Sequence, residues 1–316
     1  MSFRRIAGIV LALALTAGLA RTQASIQPRP RRSAAAPAIP SANLRVDTSL
    51  VLVPVTVNDE FNHPITGLDK DNFQIFDEKM EQTIRSFSTE DEPIALGFVF
   101  DTSGSMRGAL PAGREAAERF LKLANPEDEF FLVEFASAPR LTIPLTSDTG
   151  RIGTEILMTR SGGSTALIDA LYLALHEIQK SKKTKKALVL ISDGGENNSR
   201  YTGAEIKNVV READVLIYTV AIGGGYSGAD EQYGRGLMNH IAEMTGAHMY
   251  EAGAYDLPDI ALKIGIELRN RYVLGYSPGG QPRDGRYHRI VVKVNPPRGL
   301  PKLRAHWRLG YYAPSD

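Results

Sequence analysis

At 316 residues the chain has room for one large domain or two modest ones, and 43% hydrophobic residues are ample for a core. Its 37 Lys and Arg stand against 36 Asp and Glu, with no basic stripe interleaved with aromatics, which excludes a nucleic-acid partner held by charge. The absence of cysteine excludes disulfides, a lipid on an N-terminal cysteine and thiolate metal sites.

Residues 1–24 read as an export signal: Arg4 and Arg5 make a charged start, Ile6 to Ala20 an apolar run, and small residues follow. The alternative is an uncleaved anchor, for which the run falls short of the ~20 residues a spanning helix needs. Cleavage removes Arg4, Arg5 and Arg21 and leaves a near-neutral mature chain outside the cytoplasm, periplasmic or secreted, with no later stretch apolar enough to span a membrane. Residues 25–42 are rich in Pro, Ala and Ser without apolar periodicity and read as a linker.

Residues 43–92 form an N-terminal β segment. Val51, Val53, Val55 and Val57 alternate with other residues, and shorter strands are expected at Asn72–Phe76 and Gln82–Phe87. From residue 93 the texture changes. Ile94–Phe100, Phe130–Phe135, Ala187–Ile191 and Val215–Ile222 are almost wholly apolar, as parallel strands buried on both faces require. Helical spacing links Ala117, Phe120, Leu121 and Ala124, then Leu167, Leu171, Leu175 and Ile178. It returns at Ile241 and Met244 and along Leu257, Ile260, Ile264 and Leu268. Too few residues separate the strand at Phe130 from that at Leu141 for a parallel crossover, so this pair is an antiparallel hairpin. The expectation for 93–272 is an α/β domain with a doubly wound, mostly parallel, Rossmann-like sheet and one antiparallel edge strand. Residues 273–316 return to β, with strands at Tyr272–Tyr276, Tyr287–Val294 and Leu303–Tyr311. They are expected to pair with 43–92 into a β-sandwich-like domain built from both chain ends.

Ligands of open α/β sheets bind beyond the carboxyl ends of the strands. Asp101 ends one apolar strand and opens Asp-Thr-Ser-Gly-Ser; Asp193 follows another, and Thr165 precedes the helix at Leu167. If the two strands are neighbours, Asp101, Ser103, Ser105, Thr165 and Asp193 converge on one crevice. Three hydroxyls and two carboxylates suit a hard cation, Mg²⁺ or else Mn²⁺ or Ca²⁺. Neutral hydroxyls leave such an ion under-neutralised and receptive to an anionic oxygen, for which a carboxylate of another protein is the natural source.

Asp101-x-Ser103-x-Ser105, Thr165 in Gly-Gly-Ser-Thr-Ala-Leu, and Asp193 in Ile-Ser-Asp-Gly-Gly resemble the metal-ion-dependent adhesion site of von Willebrand factor A (VWA) domains, over roughly Ile94 to Tyr272. The layout as a whole, closing on Arg308-Leu-Gly-Tyr-Tyr-Ala-Pro, resembles exported bacterial VWFA-related proteins. The resemblance implies that Ser103, Ser105 and Thr165 ligate directly, that the aspartates often act through water, and that an Asp or Glu of a protein partner completes the shell. It points to an adhesion or assembly module.

Four further residues are candidates for the rim or for support of the ligands: Asp169, Glu196, Asn197 and Tyr226. Arg235 is a candidate partner contact near Tyr226. Two other readings stand beside adhesion: an exported metal-dependent hydrolase using the same site, and a purely structural envelope protein. Against catalysis, neither Ser103 nor Ser105 lies in a Gly-x-Ser-x-Gly elbow, and the six histidines are scattered without a zinc-binding pair.

Overall fold

The computed structural model describes residues 50–89, 92–223, 228–253, 256–278 and 284–315. The expected signal, the linker and Tyr226 lie outside the described residues.

The centre is a six-stranded sheet. Its strands are β5 (Ile94–Asp101), β6 (Glu129–Phe135), β7 (Pro139–Thr146), β8 (Lys185–Ser192), β9 (Leu216–Ile222) and β10 (Met249–Ala252), in the order β10-β9-β8-β5-β6-β7. Only β7 runs antiparallel, paired with β6 as the short connection dictates. Every residue of β5 and β9 is buried, because helices cover both sheet faces. One layer packs α1 (Leu110–Leu121) and α6 (Leu257–Arg269) over Phe98, Val189 and Val220; the other packs α3 (Leu167–Ile178) and α5 (Ala229–Thr245) over Val99, Leu188 and Ile217.

Three elements of this domain were not expected. Helices α2 (Thr149–Met158) and α4 (Gly203–Glu212) bury only two large apolar residues each, Ile152 and Ile156 or Ile206 and Val210, so their apolar faces are one turn long and easily passed over in the sequence. Helix α4 did carry a start signal, the reciprocal capping of Thr202 and Glu205. Strand β10 is too short to stand out. The first helix also differs from expectation: it starts at Leu110 and ends at Leu121, leaving Ala124 in the turn beyond it.

The chain ends build a two-sheet β structure together. Strand β1 (Val51–Asn58) lies between β11 (Tyr272–Tyr276) and β13 (Arg304–Trp307), with β4 (Ile84–Ser88) outside β11. The facing sheet has the order β14-β12-β2-β3, from Gly310–Tyr312, Tyr287–Val294, Phe73–Asp77 and Met80–Gln82. Val53, Val55, Ile75, Tyr272, Leu274 and Val292 fill the space between them. Two expected strands are each split. Gln82–Phe87 breaks at Thr83 and Leu303–Tyr311 breaks at Arg308–Leu309, the halves joining opposite sheets. These are corners where the chain crosses from one sheet to the other, and hydrophobic alternation passes through them without a mark.

Candidate metal-binding site

Strands β5 and β8 are hydrogen-bonded neighbours, so the loops after them meet at the carboxyl edge of the sheet. Asp101 is fully buried there. One carboxylate oxygen accepts the Ser103 amide at 2.8 Å, and the other accepts the Ser192 hydroxyl. The Ser103 and Ser105 hydroxyls lie 3.1 Å apart. The loop carrying Thr165 is tied on by Gly162 N to Thr102 O at 2.8 Å and by Gly104 N to Gly163 O at 3.2 Å. Asp193 accepts the Gly195 amide at 3.0 Å, and Gly195 sits between Asp193 and the Thr165 hydroxyl, so closely that a methyl there would lie 3.0 Å from that oxygen. The structure therefore brings the five residues to one place.

Burial pushes the Asp101 carboxyl up to about 6, with the Asp193 charge adding to the rise and the Ser192 and Ser103 hydrogen bonds opposing it. Two carboxylates held this close in a dry crevice are stabilised by a cation. The donor set fits one. Its oxygens are all hard, and the 3.1 Å Ser103–Ser105 separation is near the ~3 Å edge of an octahedron with ~2.1 Å bonds. Among the described residues no three His, Cys, Asp or Glu side chains gather as a metal cluster, here or elsewhere; this site has two carboxylates and three hydroxyls.

The family profile described as von Willebrand factor type A domain matches residues 96–196, the span holding all five residues. Residues 96–196 are thus those of a VWA domain. A protein of Borreliella burgdorferi named only as uncharacterized is 23% identical over 164 residues, 46% of this chain and 48% of its own length. Inter alpha-trypsin inhibitor, heavy chain 4, of Mus musculus is 29% identical over 129 residues, 37% of this chain and 14% of its own. The matches thus span about half of one curated relative and a seventh of the other. Among solved structures, proximal thread matrix protein 1 from the mussel byssus, with a zinc-occupied MIDAS motif, superposes with a TM-score of 0.50. It is 17% identical, over 61% of this chain and 49% of that one, a likeness of fold alone.

Around the VWA site the remaining candidates have definite places. Asn197 accepts the Thr165 amide at 3.0 Å and returns its own amide to the Thr165 carbonyl at 3.0 Å, so it clamps Thr165 from both sides. Glu196 accepts Ile168 N at 2.9 Å and the Ser199 hydroxyl at 2.7 Å, anchoring its loop to the start of α3. Asp169 faces away from the five residues and holds Arg200 N at 3.0 Å, Arg200 Nε at 3.1 Å and Tyr201 N at 3.2 Å. Arg235 is corrected by the structure: it is 6% exposed and donates to the carbonyls of Ile222 and Gly223, binding α5 to the end of β9 instead of reaching a partner.

Ser192 went unnoticed in the sequence, although a serine ending a buried strand beside Asp193 needs a polar partner, and Asp101 is the one it finds. Replacing Asn197 by Ala is expected to weaken divalent-ion binding about 10- to 100-fold, as loss of an outer partner does, with little change in melting temperature. Titration of Mn²⁺ into the variant checks this; unchanged affinity would show that Thr165 needs no clamp.

Proposed function

We propose that Asp101, Ser103, Ser105, Thr165 and Asp193 hold one divalent cation, Mg²⁺ first with Mn²⁺ and Ca²⁺ as alternatives, and that it grips an Asp or Glu carboxylate of a protein partner. Bound there, the ion supplies an electrophilic centre for an anionic oxygen. The observation that carries this reading is the convergence of three hydroxyls and two carboxylates on one edge of the sheet, with the buried Asp101 as its root. The protein's own groups hold the ligands ready: Ser192 fixes Asp101, and Asn197 fixes Thr165. The chain is read as a binding module for adhesion or assembly and not as an enzyme.

The same reading places the VWA domain, residues 93–272, outside the cytoplasm after cleavage near residue 24, carried by a β domain drawn from 43–92 and 273–316. No helix among the described residues is long and apolar enough to cross a membrane. The test is capture from an envelope extract with Mg²⁺ or chelator. A partner that needs the ion, is lost by Thr165→Ala and is released when its carboxylates are amidated supports the grip. Capture that chelator leaves intact contradicts it.

A further inference from the structure

At the opposite edge of the central sheet, about one strand length or ~25 Å from Asp101, a cleft separates the VWA domain from the β domain. Its volume is about 540 Å³. That lies within the ~300–1,000 Å³ usual for small-molecule sites. One wall is the outer face of the sheet that holds β1, with Leu52, Pro54 and Val273; Val210, Leu216 and Met244 form the other. Leu52 is 56% exposed on that face.

The face is open at one end only. Positions 52, 54, 56 and 58 of β1 share it. Thr56 and Asn58 are buried, and Asn58 Nδ2 donates to Glu267 of α6 at 2.9 Å. The cleft therefore narrows from Leu52 towards the domain junction, where Arg271 joins α6 to β11.

Arg271 is 7% exposed, and its Nε is buried without a hydrogen-bond partner. Of the acidic groups that act on it, Asp214 pairs with Arg308 at 3.2 Å. One Glu267 oxygen accepts from Asn58 and, at 2.7 Å, from Tyr250, and the other is buried without a hydrogen-bond partner. Burial also pushes the Glu267 carboxyl up, towards its neutral form. A buried guanidinium keeps its charge and is costly without a counter-ion. Elsewhere in the lining, Lys186 and Arg308 are matched in number by Glu92 and Asp214, so Arg271 is the cation set deepest in it.

We propose that this cleft is a binding site for a medium-chain aliphatic carboxylate, its head on Arg271 and its chain along Leu52, Pro54 and Val273. A single deep guanidinium suits a monoanion better than a phosphate dianion, and the apolar walls suit an unbranched chain. The site is separate from the metal grip and stands or falls without it.

Calorimetric titration of decanoate into the full chain, with chelator present to silence the metal site, tests the proposal. The expected result is saturable one-to-one binding, with decanol and decyltrimethylammonium each at least about tenfold weaker, as loss of a charge-assisted hydrogen bond predicts. Arg271→Gln is expected to cost a similar factor. Leu52→Asp, at an exposed position that leaves the fold intact, is expected to abolish binding and serves if Arg271→Gln fails to fold. Absence of binding, equal affinity for decanoate and decanol, or affinity unchanged by Leu52→Asp overturns the assignment.

Discussion

Gly234→Ala is expected to reduce divalent-ion affinity by about tenfold or more, although Gly234 lies 41 residues beyond Asp193, the nearest of the proposed ligands. Gly234 is in α5, and a methyl placed on it would stand 1.9 Å from the carbonyl oxygen of Gly194. Gly194 follows Asp193 directly and has φ +95°, a left-handed conformation that glycine adopts without strain. The loop is itself boxed in, since the Arg235 amide lies 3.2 Å from where a methyl on Gly194 would sit. The added methyl must therefore move the Asp193 loop or the helix, at about 1–3 kcal/mol for overpacking. Gly236, two residues on in the same helix, has open space around it and is the control. Gly236→Ala should bind the ion normally and gain up to ~1 kcal/mol of stability from helix propensity. Mn²⁺ titration and thermal melting of both variants check this. Normal affinity in Gly234→Ala would show that the Asp193 loop is not held by this contact.

The second large effect concerns pH. His248 and His306 face each other across the junction of the two domains, their rings 4.5 Å apart. Burial pushes each down from 6.5 to about 4, with the His248 charge adding to the effect on His306. Glu267 and Arg304 also act on His306, in opposite directions. Because the folded chain holds these protons less tightly than the unfolded one, the unfolded chain is protonated first as pH falls. The contribution is thus complete above pH 6.5 and is lost on the way down to about 4. For one histidine it amounts to about 2 kcal/mol by pH 5, and the facing pair is not additive. Asp101 and Glu267 work in the other direction, since their raised carboxyls favour the folded state as pH falls. The clean reading is consequently a difference between proteins. Between pH 7 and pH 5 the wild type should lose about 2 kcal/mol more than His306→Gln in urea denaturation. Equal losses would mean that water or a rearranged ring already accommodates the charge.

Much of this architecture was legible in the residues because the physics that builds it is local. The runs ending at Phe100, Phe135, Ile191 and Ile222 are almost wholly apolar, as a strand covered on both faces needs. The hairpin at Ser137–Pro139 followed from chain length alone. The five site residues stood out because each lies where a strand ends or a helix begins.

What was hidden depends on contacts distant in sequence. Nothing local shows that Thr83 and Arg308 turn their strands from one sheet to the other. Arg235 read as a candidate partner contact because the carbonyls of Ile222 and Gly223 that take it lie 13 and 12 residues away. Arg271 and the two histidines looked ordinary until the domain junction buried them.

The most direct measurement is calorimetric titration of Mg²⁺ and Mn²⁺ into the chelator-stripped protein, beside Asp101→Ala and Thr165→Ala. One ion should bind saturably to the wild type, and each substitution should weaken it by more than the ~10- to 100-fold that an outer partner costs. Equal heats from all three proteins, or none from any, would contradict the site and leave these residues as turn and cap chemistry.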